Sequence, residues 1–357
     1  MRGGMTFVSV LIDTYNHERF IEQAINSVLG QDFPVPEREI LVVDDGSTDR
    51  TAEIVRKFEP AVRLLRKENG GQASAFNAAI PECKGEIVAF LDGDDWWAPN
   101  KLSRVVQAIA ADPSVGIVGH GIVNVHRDGR SQVETLREVF QFRATTVEGA
   151  RLFRRRGAFL GTSRMAIRAD VLLRIGRIPE EIEIQADEYL FTLSSVLASA
   201  QILPEALTYY RLHDANSFQL ASHDPQKLRR KQKSLAILAT SLSRQLEMLG
   251  IDPLVRRTLI EYTQASADQL RLASDGGWPW ETAKTEWKIY EILHPEAKFS
   301  HRVFKSLILL GALVTPPRAF YSVQRTLAQS GFYRRVRERL LPVPEMEHIQ
   351  KDWRTGP

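Results

Sequence analysis

The chain has 357 residues, of which 43% are hydrophobic and 25% charged, and its formal net charge is +3. This composition is that of a globular protein with about two or three domains. One cysteine, Cys83, excludes a disulfide framework and favours a reducing compartment. The small net charge gives no indication of nucleic-acid binding, and no segment has the roughly 18 apolar residues of a membrane-spanning helix. The first residues lack an apolar signal core, so we expect a cytoplasmic protein.

Strand patterns alternate with helix patterns over the first 111 residues. The predicted strands are residues 7–12, 39–43, 62–65 and 87–91, and the predicted helices are residues 19–29, 51–57, 75–80 and 101–111. This alternation is typical of an α/β fold with a mostly parallel sheet and helices on both faces. Ligands of such sheets bind beyond the carboxyl ends of the strands. We expect four polar clusters to converge there: residues 14–16, 44–47, 69–72 and 92–95.

Three carboxylates, Asp92, Asp94 and Asp95, directly follow the fourth predicted strand. They would repel one another unless a cation lay between them, and hard divalent cations prefer oxygen ligands. Side chains alternate along an extended chain, so Asp92 and Asp94 point one way and Asp95 the other. The pattern predicts a metal site on Asp92 and Asp94, with Asp95 as a structural or helix-capping acid. The alternative is a polar turn that caps the next helix.

The second and third clusters contain groups suited to a nucleotide. A carboxylate of the 44–47 segment can accept a hydrogen bond from an imide-type N–H of a pyrimidine base, or it can cap the next helix. The two glycines of the 69–72 segment can let the backbone approach a nucleotide closely, or they can form a plain strand-to-helix turn.

Two later segments carry further candidates. Asp187 is a candidate general base for an incoming hydroxyl, with Glu188 as the fallback, and the alternative is that both acids cap the helix they begin. Arg211 or His213 can meet the charge of a diphosphate, and His213 can also ligate a metal. The alternative for this pair is an ordinary surface strand end.

The pattern becomes helical beyond about residue 218, with helices predicted over 227–249, 254–273 and 280–293. We therefore expect a catalytic domain over 1–218, a helical appendage over 219–300 and a basic amphipathic segment over 301–357. From 298 to 340 there are nine Lys or Arg and one acid, Glu338. This segment is a solvated helix face, packs on the appendage, or lies on an anionic membrane. In the membrane case the lipid-facing residues would be Phe320, Tyr321, Leu327, Phe332 and Tyr333.

Four motifs in this order and spacing resemble family 2 glycosyltransferases with the GT-A fold, a Rossmann-like fold. They are Val8-Ser-Val-Leu-Ile-Asp-Thr-Tyr-Asn16, Val42-Val-Asp-Asp-Gly-Ser-Thr-Asp49, Gly70-Gly-Gln-Ala-Ser-Ala-Phe-Asn77 and Phe90-Leu-Asp-Gly-Asp-Asp95. The resemblance covers roughly residues 5–217. It implies a UDP-, dTDP- or GDP-sugar donor, Mn²⁺ or Mg²⁺, and inversion at the anomeric carbon.

The resemblance also implies roles for individual residues. The nucleotide site would comprise Thr14, Tyr15, Asp45, Asn69, Gln72, Asp92 and Arg211. The metal would lie on Asp94, with Asp92 beside the ribose and His213 near the diphosphate. The acceptor loop would contain Gly161 and Thr162, and Asp187 would be the catalytic base. The chain departs from the family pattern at Asp13, where Pro is usual, and at Ala186, where Glu often precedes the base.

The motifs together predict an inverting glycosyltransferase that uses a glycan or lipid-linked acceptor. The expected setting is assembly of a bacterial-type surface glycan at the inner face of the cytoplasmic membrane. One alternative is a nucleotidyltransferase, which also uses an acid pair and a metal on a parallel sheet. The other is a non-catalytic subunit that binds a nucleotide-sugar.

Overall fold

The structure is a computed structural model that describes residues 6–213, 225–294, 297, 299–328 and 346–352. Its strands are β1 (Val8–Thr14), β2 (Arg38–Asp44), β3 (Arg63–Arg66), β4 (Ile87–Asp92), β5 (Trp96–Trp97), β6 (Val115–His126), β7 (Arg130–Leu136), β8 (Phe140–Phe142), β9 (Ala166–Arg168), β10 (Ser199–Leu212) and β11 (Met346–Asp352). Its helices are α1 (Ile21–Leu29), α2 (Thr51–Arg56), α3 (Gln72–Ala79), α4 (Lys101–Ala111), α5 (Val147–Arg156), α6 (Ala169–Ile175), α7 (Ala186–Leu197), α8 (Pro225–Met248), α9 (Pro253–Asp275), α10 (Trp280–Leu293), α11 (Phe299–Val314) and α12 (Pro317–Ala328).

The chain forms two compact units. The first contains Met1–Ala144, Arg156–Asn216 and Glu345–Pro357, and the second contains Thr145–Arg155 and Ser217–Pro344. The first unit holds the sheet, whose strands run in the order β11-β7-β6-β9-β4-β1-β2-β3, with β10 pairing with β6. Strands β3, β2, β1 and β4 are mutually parallel, as their alternation with helices predicts. Their carboxyl ends therefore meet at one edge.

The predicted strands and helices of the first 111 residues are confirmed, with ends that differ by one to three residues in most cases. Strand β6 begins at Val115 and reaches His126, because β10 pairs along its whole length. Strand β9 runs antiparallel between β4 and β6. The antiparallel insertion brings the loop before β9, residues 161–165, to the end of β4.

Alternating residues of the parallel strands fill cores on both faces of the sheet. Val10 and Ile12 of β1 are fully buried in the same cluster as Ile25 of α1. On the opposite face, the rings of Phe76 and Phe90 meet edge to face with centroids 5.3 Å apart. Burying large side chains on both faces holds the strand ends in place at the functional edge.

Two glycines allow the strand-end loops to pack against each other. Gly46 has φ +78°, and a Cβ there would lie 2.7 Å from Asn69 N. Gly71 has φ +82°, and a Cβ there would lie 2.6 Å from Glu183 O. Both positions combine a left-handed backbone with a close approach of another backbone, so they require glycine. The loops after β2 and β3 and the segment before α7 are thereby held in contact.

Helices form the second unit, and three of them meet at the buried carboxylate of Glu286 in α10. Lys305 Nζ of α11 lies 3.0 Å from Glu286 Oε2, and Tyr321 Oη of α12 donates to Glu286 Oε1 at 3.4 Å. Tyr321 is buried and packs with Leu272 and Ala312. The prediction that Tyr321 faces lipid is therefore wrong, because its ring fills the core of this unit.

The side chain of Leu327 and the residues Phe332 and Tyr333 lie outside the described part of the chain. Phe320 packs partly buried against the same small core as Tyr321. Among the described residues, no helix combines the length and apolarity needed to cross a membrane.

Truncation of Leu41 tests the packing of the parallel sheet. Leu41 is fully buried in β2, between β1 and β3. We expect Leu41→Ala to lower the free energy of unfolding by about 2–5 kcal/mol, because it removes buried apolar area and leaves a cavity. Urea denaturation followed by fluorescence measures the change. Leu173→Ala on the exposed surface of α6 is the control and should stay within about 0.5 kcal/mol of the parent. Equal effects of the two substitutions would contradict this packing.

Candidate active site

Carboxylates crowd together where β1 and β4 end. Asp13 stands opposite Asp92 in the register of the two strands, and Asp94 and Asp95 lie in the turn that follows. Burial raises the pKa of Asp13, Asp92 and Asp95, and the charge of Asp94 raises all three further. Asp13 Oδ1 is buried, and no group within the described part of the chain hydrogen-bonds to it. This concentration of buried negative charge is the electrostatic setting in which a cation binds favourably.

Two imidazoles approach Asp94 from separate parts of the chain. His213 Nε2 lies 2.9 Å from Asp94 Oδ2, and His17 Nε2 lies 3.8 Å from the same oxygen. Burial opposes ionisation of Asp94, but the hydrogen bond from His213 and the nearby imidazoles outweigh it and lower the pKa of this carboxyl. Asp94 is therefore the carboxylate of the cluster best able to remain charged.

Asp94 and His213 fit part of the ligand set of a divalent cation. A carboxylate oxygen and an imidazole nitrogen are both ligands of divalent cations, and Asp94 Oδ2 and His213 Nε2 lie side by side, 2.9 Å apart. No group of three or more His, Cys, Asp or Glu within the described part of the chain has metal-site geometry. Mg²⁺ and Mn²⁺ commonly take one or two protein ligands and complete their coordination with substrate phosphates and water. The residues present fit such a shared site.

Ser163 joins the acidic turn to the loop before β9. Its hydroxyl donates to Asp95 Oδ2 at 2.6 Å and lies 3.3 Å from Asp92 Oδ2. The hydroxyl oxygen of Ser163 also accepts the backbone N–H of Asp92 at 3.1 Å. One small side chain therefore orients two of the three acids.

The backbone carbonyl of Ser163 is also fixed by hydrogen bonds, from three side chains. It accepts hydrogen bonds from Trp97 Nε1 at 3.1 Å, Lys101 Nζ at 2.9 Å and Thr208 Oγ1 at 2.6 Å. Lys101 is fully buried, and its ammonium lies 3.6 Å from the centroid of the Trp97 ring. Burial lowers the pKa of Lys101, while Asp95 and Asp92 oppose that shift. Lys101 is thus close enough to Asp95 and Asp92 for their charges to favour its protonated form against burial.

Asp187 lies in the first turn of α7, where two backbone N–H groups orient its carboxyl. Thr162 N donates to Asp187 Oδ2 at 3.2 Å, and Glu188 N donates to Oδ1 at 2.9 Å. Gln72 braces this contact, because its amide donates to Thr162 Oγ1 at 3.1 Å and accepts from Ala186 N at 2.9 Å. Burial raises the pKa of Asp187. A carboxylate with a raised pKa and a fixed orientation suits a general base.

Arg211 and Asp95 fasten β10 to the acidic turn. Asp95 Oδ1 accepts the backbone N–H of Arg211 at 2.9 Å, and Arg211 Nε donates to the carbonyl of Asp94 at 2.9 Å. The guanidinium also lies between the rings of Phe20 and Trp96, at 4.7 and 4.5 Å from their centroids. Asp95 is structural, as expected, but it caps no helix, because the N-cap residue of α4 is Asn100.

Asp45 orders the loop that is expected to bind the nucleobase of the donor. Its carboxylate accepts backbone N–H groups from Gly70 at 3.0 Å and Gly71 at 2.7 Å, and it pairs with Lys67 Nζ at 2.8 Å. Asn69 Nδ2 donates to the carbonyl of Asp45 at 3.0 Å. The 44–47 segment does not cap α2, because Thr51 N bonds to Asp49 instead.

Thr14 and Tyr15 border the same edge. Thr14 is buried and its carbonyl accepts the Asp45 N–H at 2.9 Å, whereas Tyr15 is exposed. The carbonyl of Gly161 accepts the N–H of Arg164 at 2.8 Å and closes the turn that presents Thr162 and Ser163.

The predicted site residues thus fall into two connected groups. Thr14, Asp45 and Asn69 bond to one another at the ends of β1 and β2. The larger group surrounds the 161–164 loop and contains Asp92, Asp94, Asp187, Arg211, His213, Thr162 and Gln72. Gln72 bonds within this second group rather than to Asp45.

Sequence reasoning missed His17, Ser163 and Lys101. His17 lies in the loop after β1, so it could have been considered as a metal or diphosphate contact in the same way as His213. A lysine at the first position of a helix opposes the helix dipole, and this was the available signal for Lys101. Ser163 had no local signal, because its partners come from distant segments.

Residues 9–175 match the family model for glycosyl transferase family 2. The uncharacterized glycosyltransferase alr2836 of Nostoc sp. is 34% identical over 224 residues, which are 60% of this chain and 67% of that protein. The chain belongs to glycosyltransferase family 2. The poly(ribitol-phosphate) beta-N-acetylglucosaminyltransferase TarS of Staphylococcus aureus is 42% identical over 92 residues, covering 25% of this chain and 16% of that relative.

Solved structures with a similar fold agree with the fold expected for this family. The crystal structure of S. aureus TarS 1–349 superposes with a TM-score of 0.55 at 20% identity, covering 90% of this chain and 91% of that one. The mannosyltransferase PcManGT from Pyrobaculum calidifontis, in complex with GDP-Man and Mn²⁺, has a TM-score of 0.50 at 18% identity, with coverage of 92% and 89%. This glycosyltransferase therefore has the expected GT-A fold.

Replacement of Ser163 tests the connection between the acids and the 161–164 loop. We expect Ser163→Ala to lower kcat roughly 10- to 100-fold with little change in donor affinity, because Asp92 and Asp95 lose their shared donor and shift relative to Asp187. Ser163→Thr keeps the hydroxyl and should recover most of the activity. The measurement is steady-state kinetics beside donor titration.

Ser195→Ala is the matched control, since that hydroxyl is equally buried but bonds only to the carbonyl of Phe191 within α7. An alanine variant at Ser163 with the same kcat as this control would contradict the positioning role.

Proposed function

We propose that the chain is an inverting glycosyltransferase that moves a sugar from a nucleoside-diphosphate donor to a hydroxyl of a glycan or lipid-linked acceptor. One observation carries this proposal. A single short loop, residues 161–164, bonds to Asp187 through Thr162 and to Asp92 and Asp95 through Ser163. The loop gives a base and a group of donor-binding acids fixed positions relative to each other. A single displacement needs that arrangement, because the hydroxyl must attack opposite the leaving diphosphate.

Asp187 acts as the base. Its carboxylate takes the proton of the acceptor hydroxyl as the acceptor oxygen forms a bond to the anomeric carbon. The bond between that carbon and the diphosphate oxygen breaks in the same step, and its electron pair leaves with the diphosphate. The two backbone N–H donors hold the carboxylate toward the acceptor through the reaction. No covalent bond between sugar and protein forms.

The nucleotide binds at the ends of β1 and β2. Thr14, Tyr15, Asp45 and Asn69 form its border, and the ribose lies toward Asp92. Asp45 pre-forms the glycine loop by bonding its backbone, so the loop is ordered before the donor arrives. Support for this class of donor comes from the crystal structures of TarS with UDP-GlcNAc and of PcManGT with GDP-Man.

Asp94 and His213 would hold Mn²⁺ or Mg²⁺, with Asp92 alongside. The bound cation supplies neutralisation of the negative charge that develops on the departing diphosphate. The rest of the chain prepares this position: Arg211 fixes the backbone of Asp94, and Ser163 fixes Asp92. Support comes from the Mn²⁺ complex of PcManGT and from the buried negative charge of this edge.

The setting we propose is the assembly of a cell-envelope polysaccharide at the inner face of the cytoplasmic membrane. By their names, TarS modifies poly(ribitol-phosphate), and another relative, 36% identical over 125 residues, is the chondroitin synthase of Pasteurella multocida. The chain spans only 13% of that synthase and 16% of TarS, so these relatives support the class of acceptor and not its identity.

Replacement of Asp187 by Asn tests the base. We expect kcat to fall about 10²- to 10⁴-fold while donor binding persists, because Asn keeps the shape but cannot accept the proton. Activity against an acceptor panel and donor titration by calorimetry provide the two readouts. Glu188→Gln, one residue away, should retain activity. The opposite result for the pair would assign the base to Glu188, and unchanged transfer in both would favour a non-catalytic nucleotide-sugar-binding role.

The pH dependence of kcat/KM gives a second test. Only the deprotonated carboxylate of Asp187 is a base, so activity is full above its pKa and falls as the pH drops through it. Burial raises this pKa above the ordinary value of 3.8, and we therefore expect the acid limb at a higher pH than a solvated aspartate would give. A profile that stays flat down to that ordinary value would contradict the assignment.

Removal of the cation tests the metal site. We expect EDTA to abolish transfer and Mn²⁺ or Mg²⁺ to restore it. Asp94→Asn should weaken Mn²⁺ binding in the presence of a nucleoside diphosphate by at least about tenfold, as measured by calorimetry, because a charged ligand is lost. Asp112→Asn, an acid of the exposed loop after α4, is the control. Full activity in EDTA would contradict metal dependence.

A further inference from the structure

Helix α11 has its charged residues on the inside. Lys305 points to Glu286 of α10, with Nζ 3.0 Å from the carboxylate, and Arg302 Nη1 lies 3.9 Å from Glu291 Oε1. Leu309 and Ala312 are the buried residues of this helix. The contacts that hold α11 within its unit are therefore made by ion pairs and by two small or medium apolar side chains.

The large apolar residues of α11 face outward instead. Six of them are between 40% and 81% exposed: Phe299, Val303, Phe304, Leu307, Leu310 and Val314. Their spacing places them along one side of the helix for its whole length. We call these six residues the α11 stripe. A contiguous exposed patch of this kind marks a surface that contacts a lipid or another molecule.

The charge of this region selects among the surfaces that could cover the stripe. The sequence has no Asp or Glu between Glu296 and Glu338, whereas nine Lys or Arg lie between residues 298 and 340. Arg302 and Lys305 are paired with acids of α10, and Arg318 at the start of α12 is exposed. The polar residues exposed beside the stripe include Ser300 and Ser306, which carry no charge. The absence of acids beside an apolar face, together with the excess of basic residues in this segment, favours an anionic lipid surface.

Size and aromatic content agree with a helix that lies on a membrane. Helix α11 has 16 residues, and none of the described helices is both long and apolar enough to cross a membrane. On a membrane, α11 would therefore lie in the plane of the interface. The stripe is also small for a stable dimer, which buries about 800 Å² per partner. Trp278 and Trp280 are exposed in the segment after Asp275, whose carbonyl accepts Arg318 Nη2 at 2.9 Å. Exposed tryptophans are typical of membrane interfaces.

We propose that the α11 stripe binds the surface of an anionic phospholipid membrane. The apolar side chains enter the boundary between headgroups and acyl chains, and the exposed Arg318 of α12 lies at the level of the anionic headgroups, while Arg302 and Lys305 keep their acidic partners inside the unit. This contact differs from the one expected from the sequence, where Tyr321 faced lipid. It does not depend on the transfer reaction, because neither α11 nor α12 contributes a residue to the proposed active site.

Vesicle flotation of the full chain tests this surface. We expect the chain to float with vesicles of equal parts phosphatidylglycerol and phosphatidylcholine, and far less with phosphatidylcholine alone. The double variant Leu307→Ser and Leu310→Ser should partition about tenfold or more weakly, because two buried leucines are lost. Ser306→Glu adds an acid beside the stripe without removing an apolar group, and it should weaken binding several-fold to the anionic vesicles.

The matched control is the double variant Val35→Ser and Leu173→Ser, which removes two apolar residues of the first unit that are even more exposed than Leu307 and Leu310. It should float like the parent chain. Ser306→Glu decides the outcome if the leucine variant fails to fold by circular dichroism. The proposal is overturned if the parent chain does not float, or if the leucine and glutamate variants float like the control. It is also overturned if light scattering shows a dimer that the leucine variant converts to a monomer, since a second copy would then cover the stripe.

Discussion

The peptide of Ser163 is the contact on which the proposed active site depends. Its hydroxyl bridges Asp92 and Asp95, and its carbonyl receives Trp97, Lys101 and Thr208. Burying several carboxylates together is unfavourable unless hydrogen bonds and opposite charge compensate. Ser163 supplies part of the hydrogen bonding and recruits the buried ammonium of Lys101 to the same place. The acids can therefore be concentrated where a metal and a diphosphate would need them.

The sheet topology makes this contact available. Parallel strands bring the four strand-end loops to one edge, and the antiparallel strand β9 delivers the 161–164 loop to that edge from the other side. Gly46 and Gly71 then let neighbouring loops approach within van der Waals distance. The acids after β4 and the proposed catalytic base Asp187 are therefore both in contact with the loop that precedes β9. A displacement of that loop would move Asp187 and the acids together.

Much of the fold and the outline of the site could be predicted from the sequence. Hydrophobic runs ending in polar clusters located β1 to β4, and their parallel arrangement placed Thr14, Asp45 and Asp92 at one edge. These predictions of the strands and their ends succeeded because they depend on local periodicity and on a general rule about strand ends. The predicted alternation of the three acids does not hold, because Asp94 lies in a turn and the Ser163 hydroxyl contacts Asp92 and Asp95 together.

The remainder depends on contacts between distant segments. Ser163 and Asp95 are 68 residues apart, and no local pattern pairs them. Gln72 was expected beside the nucleobase. Its side-chain amide bonds instead to Thr162 and Ala186, because α3 begins next to the loop before α7. One of the three alternatives for the tail turned Tyr321 toward lipid, but Tyr321 packs with Leu272 and donates its hydroxyl to Glu286, and α11 carries the exposed apolar face instead. An amphipathic pattern indicates that a face exists, while tertiary packing decides which face is covered.

The central claim is that Asp187 deprotonates the acceptor for a single displacement at the anomeric carbon. The stereochemistry of the first product tests this most directly. With an α-configured nucleotide-sugar that the chain turns over, nuclear magnetic resonance of the anomeric proton should show a β-linked product from the earliest time point. An α-linked first product would contradict the account, because retention requires a different route from the one that the position of Asp187 supports.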